Sequence, residues 1–179
     1  MPLDPTLAAF AALVLAAVFA VAGVAKLRDA DAFAGVVANY RVLPDRLARP
    51  VAWLLPPLEV ALALCVLVPV TRAPAAAALA VLLLLFAGAM AVNLRRGRTG
   101  IDCGCAIGLL KERISWPMVA RNLALAAIAA SLALADPVAR PLGWLDWFTI
   151  VAATGCALLL YAAVGRLFGL APARLEGAS

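Results

Sequence analysis

The chain contains no histidine, and only 14% of its 179 residues are charged. The missing imidazole removes the commonest zinc ligand, haem ligation by His and the usual general base near neutral pH. No run of Lys and Arg is dense enough to track a phosphate backbone, so the net charge of +5 is not a nucleic-acid signal. What is abundant is apolar. Hydrophobic residues make up 66% of the chain, with a mean hydropathy of +1.05, whereas a soluble domain is roughly half apolar.

Several runs reach the roughly 20 apolar residues needed to cross a bilayer core. Five spans can be drawn: Thr6 to Leu27, Val51 to Val70, Ala73 to Leu94, Pro117 to Ala135 and Leu145 to Leu170. Each ends at Pro, Gly or charge. Lipid offers the backbone no hydrogen-bond partner, so all five must be helices. The expected fold is an all-α polytopic membrane bundle, a four-helix core plus one, with residues 1–179 as a single integral membrane domain. The first run is too long for a signal-peptide core, and Ala25-Lys26-Leu27 does not resemble a cleavage site, so it reads as a retained span. Between spans one and two, Asp29 or Asp31 can cap a short helix whose Phe33, Val36, Val37 and Tyr40 recur at helical spacing. That pattern predicts an interfacial helix.

The positive charges are unevenly shared. Lys26, Arg28, Arg41, Arg46, Arg49, Arg95, Arg96, Arg98, Lys111, Arg113, Arg121, Arg166 and Arg174 fall on one side of the five-span layout, and only Arg72 and Arg140 on the other. The positive-inside rule then makes the first side cytoplasmic, with the N-terminus outside. The expected location is the cell (inner, cytoplasmic) membrane, as a multi-pass protein.

Polar residues in or near the spans gather on that same side: Lys26 closing span one, Glu59 in the first turns of span two, Asn93 closing span three, and Arg121 and Asn122 opening span four. Polar groups at membrane depth are costly and mark function or mutual pairing. Each also has a plainer reading. Lys26 can snorkel to the headgroups. Glu59, after Pro56-Pro57, can be a first-turn carboxylate favoured by the helix dipole. The two Asn can join helices, and Arg121 can be one more inside charge or a partner for Glu59.

The link from about 95 to 116 holds Asp102-Cys103-Gly104-Cys105. Two thiols one residue apart can close a small strained disulfide, and strain makes such a bond a better oxidant than a structural crosslink. Gly104 allows the tight backbone. Arg95, Arg96 and Arg98 favour a thiolate and Asp102 opposes it. A zinc knuckle would need four ligands, and the loop offers two Cys, one Asp and no His, so no metal is expected. Cys65 and Cys156 lie mid-span among apolar residues and read as small hydrophobes.

These residues resemble the MauE branch of the MauE/DoxX family of redox-associated membrane proteins. The resemblance rests on Ala22-Gly23-Val24-Ala25-Lys26-Leu27, Phe33 through Tyr40-Arg41-Val42-Leu43-Pro44, Pro57-Leu58-Glu59-Val60, Asn93-Leu94-Arg95-Arg96-Gly97-Arg98, Asp102-Cys103-Gly104-Cys105 and Arg121-Asn122. It covers about Leu13 to Leu134, and the chain departs at Ala106, where the family carries Phe before Gly. It implies a small helical bundle akin to quinone-linked disulfide-forming proteins. The founding member is associated with methylamine utilisation, where it acts with a thioredoxin-like partner in disulfide formation in the small subunit of methylamine dehydrogenase.

The resulting expectation is a membrane thiol–disulfide oxidoreductase or electron conduit. Cys103 and Cys105 would cycle between dithiol and disulfide against a thioredoxin-like or other thiol protein. Lys26, Glu59, Asn93, Arg121 and Asn122 would shape a pocket, with a membrane quinone as the candidate cofactor. Two alternatives stand beside it: a non-enzymatic assembly factor for a redox partner, and a small-molecule permease with a thiol gate. Sidedness adds a tension, because thiols on the cytoplasmic side are kept reduced. Either the pair exchanges reducing equivalents there, or Ala106-Ile107-Gly108-Leu109-Leu110 and Trp116 let the loop dip into the bilayer.

Overall fold

The computed structural model describes residues 2–101, 113–137 and 140–170. Among these residues six helices follow one another: α1 (Pro5–Arg28), α2 (Ala30–Tyr40), α3 (Asp45–Cys65), α4 (Arg72–Arg95), α5 (Trp116–Ala133) and α6 (Trp144–Leu170). All but α2 include a segment long and apolar enough to cross a membrane. The expected all-α bundle of five spans is what the chain forms. The strands among the described residues are a two-residue parallel pairing of β1 (Pro2–Leu3) with β2 (Asp136–Pro137), which ties the N-terminus to the link between α5 and α6.

Local chemistry sets the helix ends. Asp4 caps α1 by accepting from the Thr6 N–H at 2.8 Å, and Pro5 opens the first turn, where its missing N–H is no loss. Lys26 and Arg28 close α1, where cations suit the negative end of the helix dipole. Asp29 then caps α2 through the Ala32 N–H at 3.1 Å. Phe33, Val36, Val37 and Tyr40 lie on one face of α2, as their spacing predicted, and that face looks onto α3 and α4.

Span two differs from expectation. α3 begins at Asp45, runs through Pro50, Pro56 and Pro57, and stops at Cys65 rather than near Val70. Pro50, just before the expected start of span two, is the sixth residue of α3, beyond the first turn where a missing donor costs nothing, and membrane helices tolerate such interior prolines. At the far end the apolar run continues, yet its carbonyls are taken by side chains. Thr71 Oγ1 donates to the Cys65 carbonyl at 2.7 Å, and Arg72 donates to those of Val66 and Leu67. Glu59 therefore lies 14 residues into α3, about 21 Å of helix rise, and is not a first-turn carboxylate.

The core is built on α1, α3, α4 and α5. Leu15, Phe19, Ala63, Val66, Ala76, Leu79, Leu83 and Ala129 pack in one cluster, which Leu158 and Tyr161 of α6 touch from outside. α6 lies largely exposed and packs mainly on α1, so the expected four-plus-one arrangement holds. Exposed apolar residues such as Leu54, Leu85 and Leu159 form the surface such a bundle presents to lipid.

Candidate functional site

The site starts from a close helix approach. A β-carbon on Gly23 would lie 2.8 Å from Val60 Cγ2 and 3.0 Å from the Pro56 carbonyl oxygen, so glycine is what lets α1 and α3 come together here. One turn further along α1 stands Lys26, and on α3 Glu59 is itself part of this contact, its β-carbon 3.3 Å from where a β-carbon on Gly23 would lie. The Lys26 ammonium donates to Glu59 Oε1 at 2.5 Å, and the two side chains are 6% and 0% exposed. Lys26 Nζ also lies 5.0 Å from the centroids of both Phe33 and Phe86, within cation–π range. Glu59 Oε2 is buried with no hydrogen-bond partner among the described residues.

Beside the ammonium a cavity of about 290 Å³ opens between α2, α3 and α4. Aliphatic and aromatic side chains line most of it, and Lys26 is the charged residue on its wall. Tyr40, Phe86 and Met90 belong both to this wall and to a second hydrophobic cluster formed with Ile101, Ile114, Met118 and Val119.

Asn93 ends α4 in a Schellman cap. The Arg98 N–H donates to the Asn93 carbonyl and the Gly97 N–H to that of Leu94, both at 3.0 Å, with Gly97 at φ +72°. That left-handed turn suits glycine. It returns the Arg98 guanidinium to the Asn93 side-chain oxygen at 3.0 Å and to Asn39 Oδ1 at 3.3 Å. Asn93 Nδ2 donates to the Ala89 carbonyl. Asn122 donates within its own helix to the Met118 carbonyl. The Arg121 guanidinium lies 4.5 Å from the Tyr161 ring centroid, joining α5 to α6, while the ionic partner of Glu59 is Lys26.

Of the expected pocket residues, then, Lys26 and Glu59 meet directly. Asn93 belongs to a neighbouring polar chain, and Arg121 and Asn122 serve α5 and its contact with α6. Sequence reasoning did not single out Phe86, Asn39, Tyr161 or the bonding role of Arg98. Only Arg98 carried a signal, the Gly97-Arg98 pair after an apolar run.

Cys103 and Cys105 lie outside the described residues, as does Asp102. The residues flanking that segment are informative: Ile101 and Ile114 are both buried, and the Ile114 N–H donates to the Ile101 carbonyl at 3.0 Å. The chain thus leaves and re-enters the bundle at one point. Cys65 is half-buried and Cys156 exposed, both as free thiols.

The family described as methylamine utilisation protein MauE matches residues 4–135. Among curated proteins, the methylamine utilization protein MauE of Paracoccus versutus is 49% identical over 160 residues, covering 89% of this chain and 86% of that protein. The protein of the same name from Methylorubrum extorquens is 44% identical over 167 residues, covering 93% and 90%. That from Paracoccus denitrificans is 42% identical over 160 residues, covering 89% and 86%. No solved structure matches.

Proposed function

Because the chain belongs to the MauE family of membrane proteins of methylamine utilisation, we propose that it works there as a thiol–disulfide oxidoreductase of the membrane. Cys103 and Cys105 are its reactive pair. A thiolate of a thioredoxin-like partner attacks the Cys103–Cys105 disulfide, and a mixed disulfide forms as one of the two sulfurs leaves. A second partner thiol then resolves that bond. The partner leaves as a disulfide and the pair as a dithiol. Reoxidation returns the disulfide with loss of two electrons and two protons, which a membrane quinone, when bound, would take up.

The observation that carries this reading is the join at the base of the bundle. The segment holding the pair is flanked by buried Ile101 and Ile114, and these pack in one cluster with Tyr40, Phe86 and Met90, which also wall the cavity beside Lys26. A thiol segment whose flanks pack against the wall of an apolar cavity suits transfer between a protein thiol and a lipid-soluble acceptor. By charge bias this end faces the cytoplasm, with the N-terminus outside.

The test is substitution of both cysteines. Cys103→Ser/Cys105→Ser should abolish exchange with a dithiol substrate and growth on methylamine in a host lacking its own copy. Each single variant, having no internal disulfide for the partner to attack, should lose exchange as the double variant does, whereas a partner lacking its second thiol should be trapped as a mixed disulfide with the unmodified pair. Unchanged exchange and growth in the double variant would sink the proposal. Labelling Cys103 and Cys105 with a membrane-impermeant thiol reagent should succeed only after lysis, and labelling in intact cells would reverse the sidedness.

A further inference from the structure

We infer that the cavity between α2, α3 and α4 binds a neutral, ring-sized carbonyl compound dissolved in the bilayer, with the Lys26 ammonium as its hydrogen-bond donor. The redox use of that ligand rests on the thiol reading above; the site itself does not.

Size comes first. At about 290 Å³ the cavity stands at the small end of ligand pockets, which run from roughly 300 to 1,000 Å³. It takes a ring with small substituents and leaves a long tail outside. Leu85 and Val42 line it and are also exposed, at 62% and 46%, on the apolar surface of the bundle. The mouth therefore faces the lipid phase, where a tail would remain.

Polarity comes next. The wall carries Phe33, Phe86 and Tyr40, which offer ring faces and edges to an aromatic or quinonoid ring. Lys26 has three N–H donors, and among the described residues it gives one hydrogen bond, to Glu59. The two phenyl rings beside it accept only weakly. A ligand without an acceptor leaves the remaining N–H groups in an apolar space, which is unfavourable. A carbonyl oxygen satisfies one of them.

Charge decides between acceptors. The Glu59 carboxylate already balances the ammonium within the same buried pair. The site thus presents a donor with little net charge. An anionic headgroup would bring a second negative charge next to Glu59 in a low-dielectric space, and a cation would meet Lys26. A neutral carbonyl compound carries neither penalty.

The probe is a photoactivatable short-tail benzoquinone, added to the full chain in lipid vesicles, with the labelled peptides mapped by mass spectrometry. Saturable labelling should concentrate between Phe33 and Tyr40 or between Leu82 and Met90, and unlabelled short-tail quinone should displace it. Val37→Phe fills the cavity from α2, and Ala89→Phe fills it from α4, so the test survives if one variant fails to fold. Each should weaken labelling at least about tenfold, as should Lys26→Met/Glu59→Leu, which removes the donor without stranding the carboxylate. Labelling spread over all spans, or unchanged in a folded filling variant, overturns the site. Equal displacement by a ring hydrocarbon of the same size, or by a fatty acid, overturns the carbonyl assignment. In Cys103→Ser/Cys105→Ser the labelling should persist. Site labelling without thiol exchange in the unmodified chain would sink the redox reading alone, and exchange without site labelling would sink the site alone.

Discussion

The two ends of the bundle solve the same electrostatic problem in opposite ways. At the end where α1 and α6 begin, Arg140 donates to Asp146 at 3.0 and 3.1 Å, to Thr6 Oγ1 at 2.8 Å and to Asp4 at 3.5 Å. Thr6 also donates to Asp146. The cluster is rich in bonds, yet Arg140 is 44% exposed and Asp4 48%. Toward the other end, Lys26 and Glu59 share one hydrogen bond in almost complete burial. Solvent screens the first cluster, so its several bonds add little net stability and act mainly to hold the N-terminus against the α5–α6 link. The second has paid desolvation in full, and a carboxylate oxygen has no partner among the described residues. The number of bonds is thus a poor guide to which cluster matters; burial decides it.

The sharpest way to break that comparison is to remove one member of the buried pair. Lys26→Met leaves Glu59 without its counter-ion inside the bundle, and should lower stability by about 3–5 kcal/mol, read as a large fall in the thermal unfolding midpoint in detergent. Lys26→Met/Glu59→Leu should recover most of that loss, because an apolar pair of similar volume replaces ions that were costly to bury. If the double variant is as unstable as the single, the pair is a net stabiliser and the contrast between the two ends fails.

A smaller effect tests what holds the pair together. The Cβ of Gly23→Ala would press on Val60 Cγ2, on a stiff β-branched side chain, and on the Pro56 backbone oxygen. α1 and α3 must then separate slightly, at an expected loss of about 1–3 kcal/mol, typical of overpacking. In the Lys26→Met/Glu59→Leu background the packing loss should persist, since it does not depend on the ions. Loss of the Gly23→Ala effect in that background would show instead that glycine serves only the ion pair.

Much of this was legible in the sequence, and the limits are physical. The five spans follow from apolar run length, and the cavity-facing stripe of α2 follows from the spacing of Phe33, Val36, Val37 and Tyr40. Lys26 and Glu59 stood out because charge within an apolar run is expensive. That they bond each other was not legible. The partner that the sequence offers Glu59 is Arg121, and the pairing with Lys26 instead depends on how closely α1 and α3 approach at Gly23, a matter of three-dimensional register. The sequence suggests a pocket walled by polar residues; that its wall is largely apolar was not legible, because apolar residues at helical spacing are the same pattern that fills a core. The extent of α3 is not legible, because Pro50 resembles a helix boundary and the apolar run to Val70 resembles helix. The bonds from Thr71 and Arg72 that end it are tertiary detail.

The mildest prediction concerns the exposed end and its response to acid. Asp4 accepts the Thr6 N–H and faces Arg140, and the backbone bond from Thr6 is the main reason its carboxyl titrates below the ordinary value of 3.8. A carboxyl whose folded pKa is depressed contributes stability above its unfolded pKa and loses it as pH falls through the folded value. The contribution is therefore complete near neutrality and fades below about pH 4. Asp4→Asn keeps an oxygen to accept the Thr6 N–H but cannot titrate. Its thermal midpoint should fall less than that of the unmodified chain between pH 5 and pH 3, with only a slight difference at pH 7. If the two midpoints instead fall in parallel over that range, the screened cluster contributes nothing that depends on the charge of Asp4, and holding the N-terminus rests on Thr6, Arg140 and Asp146.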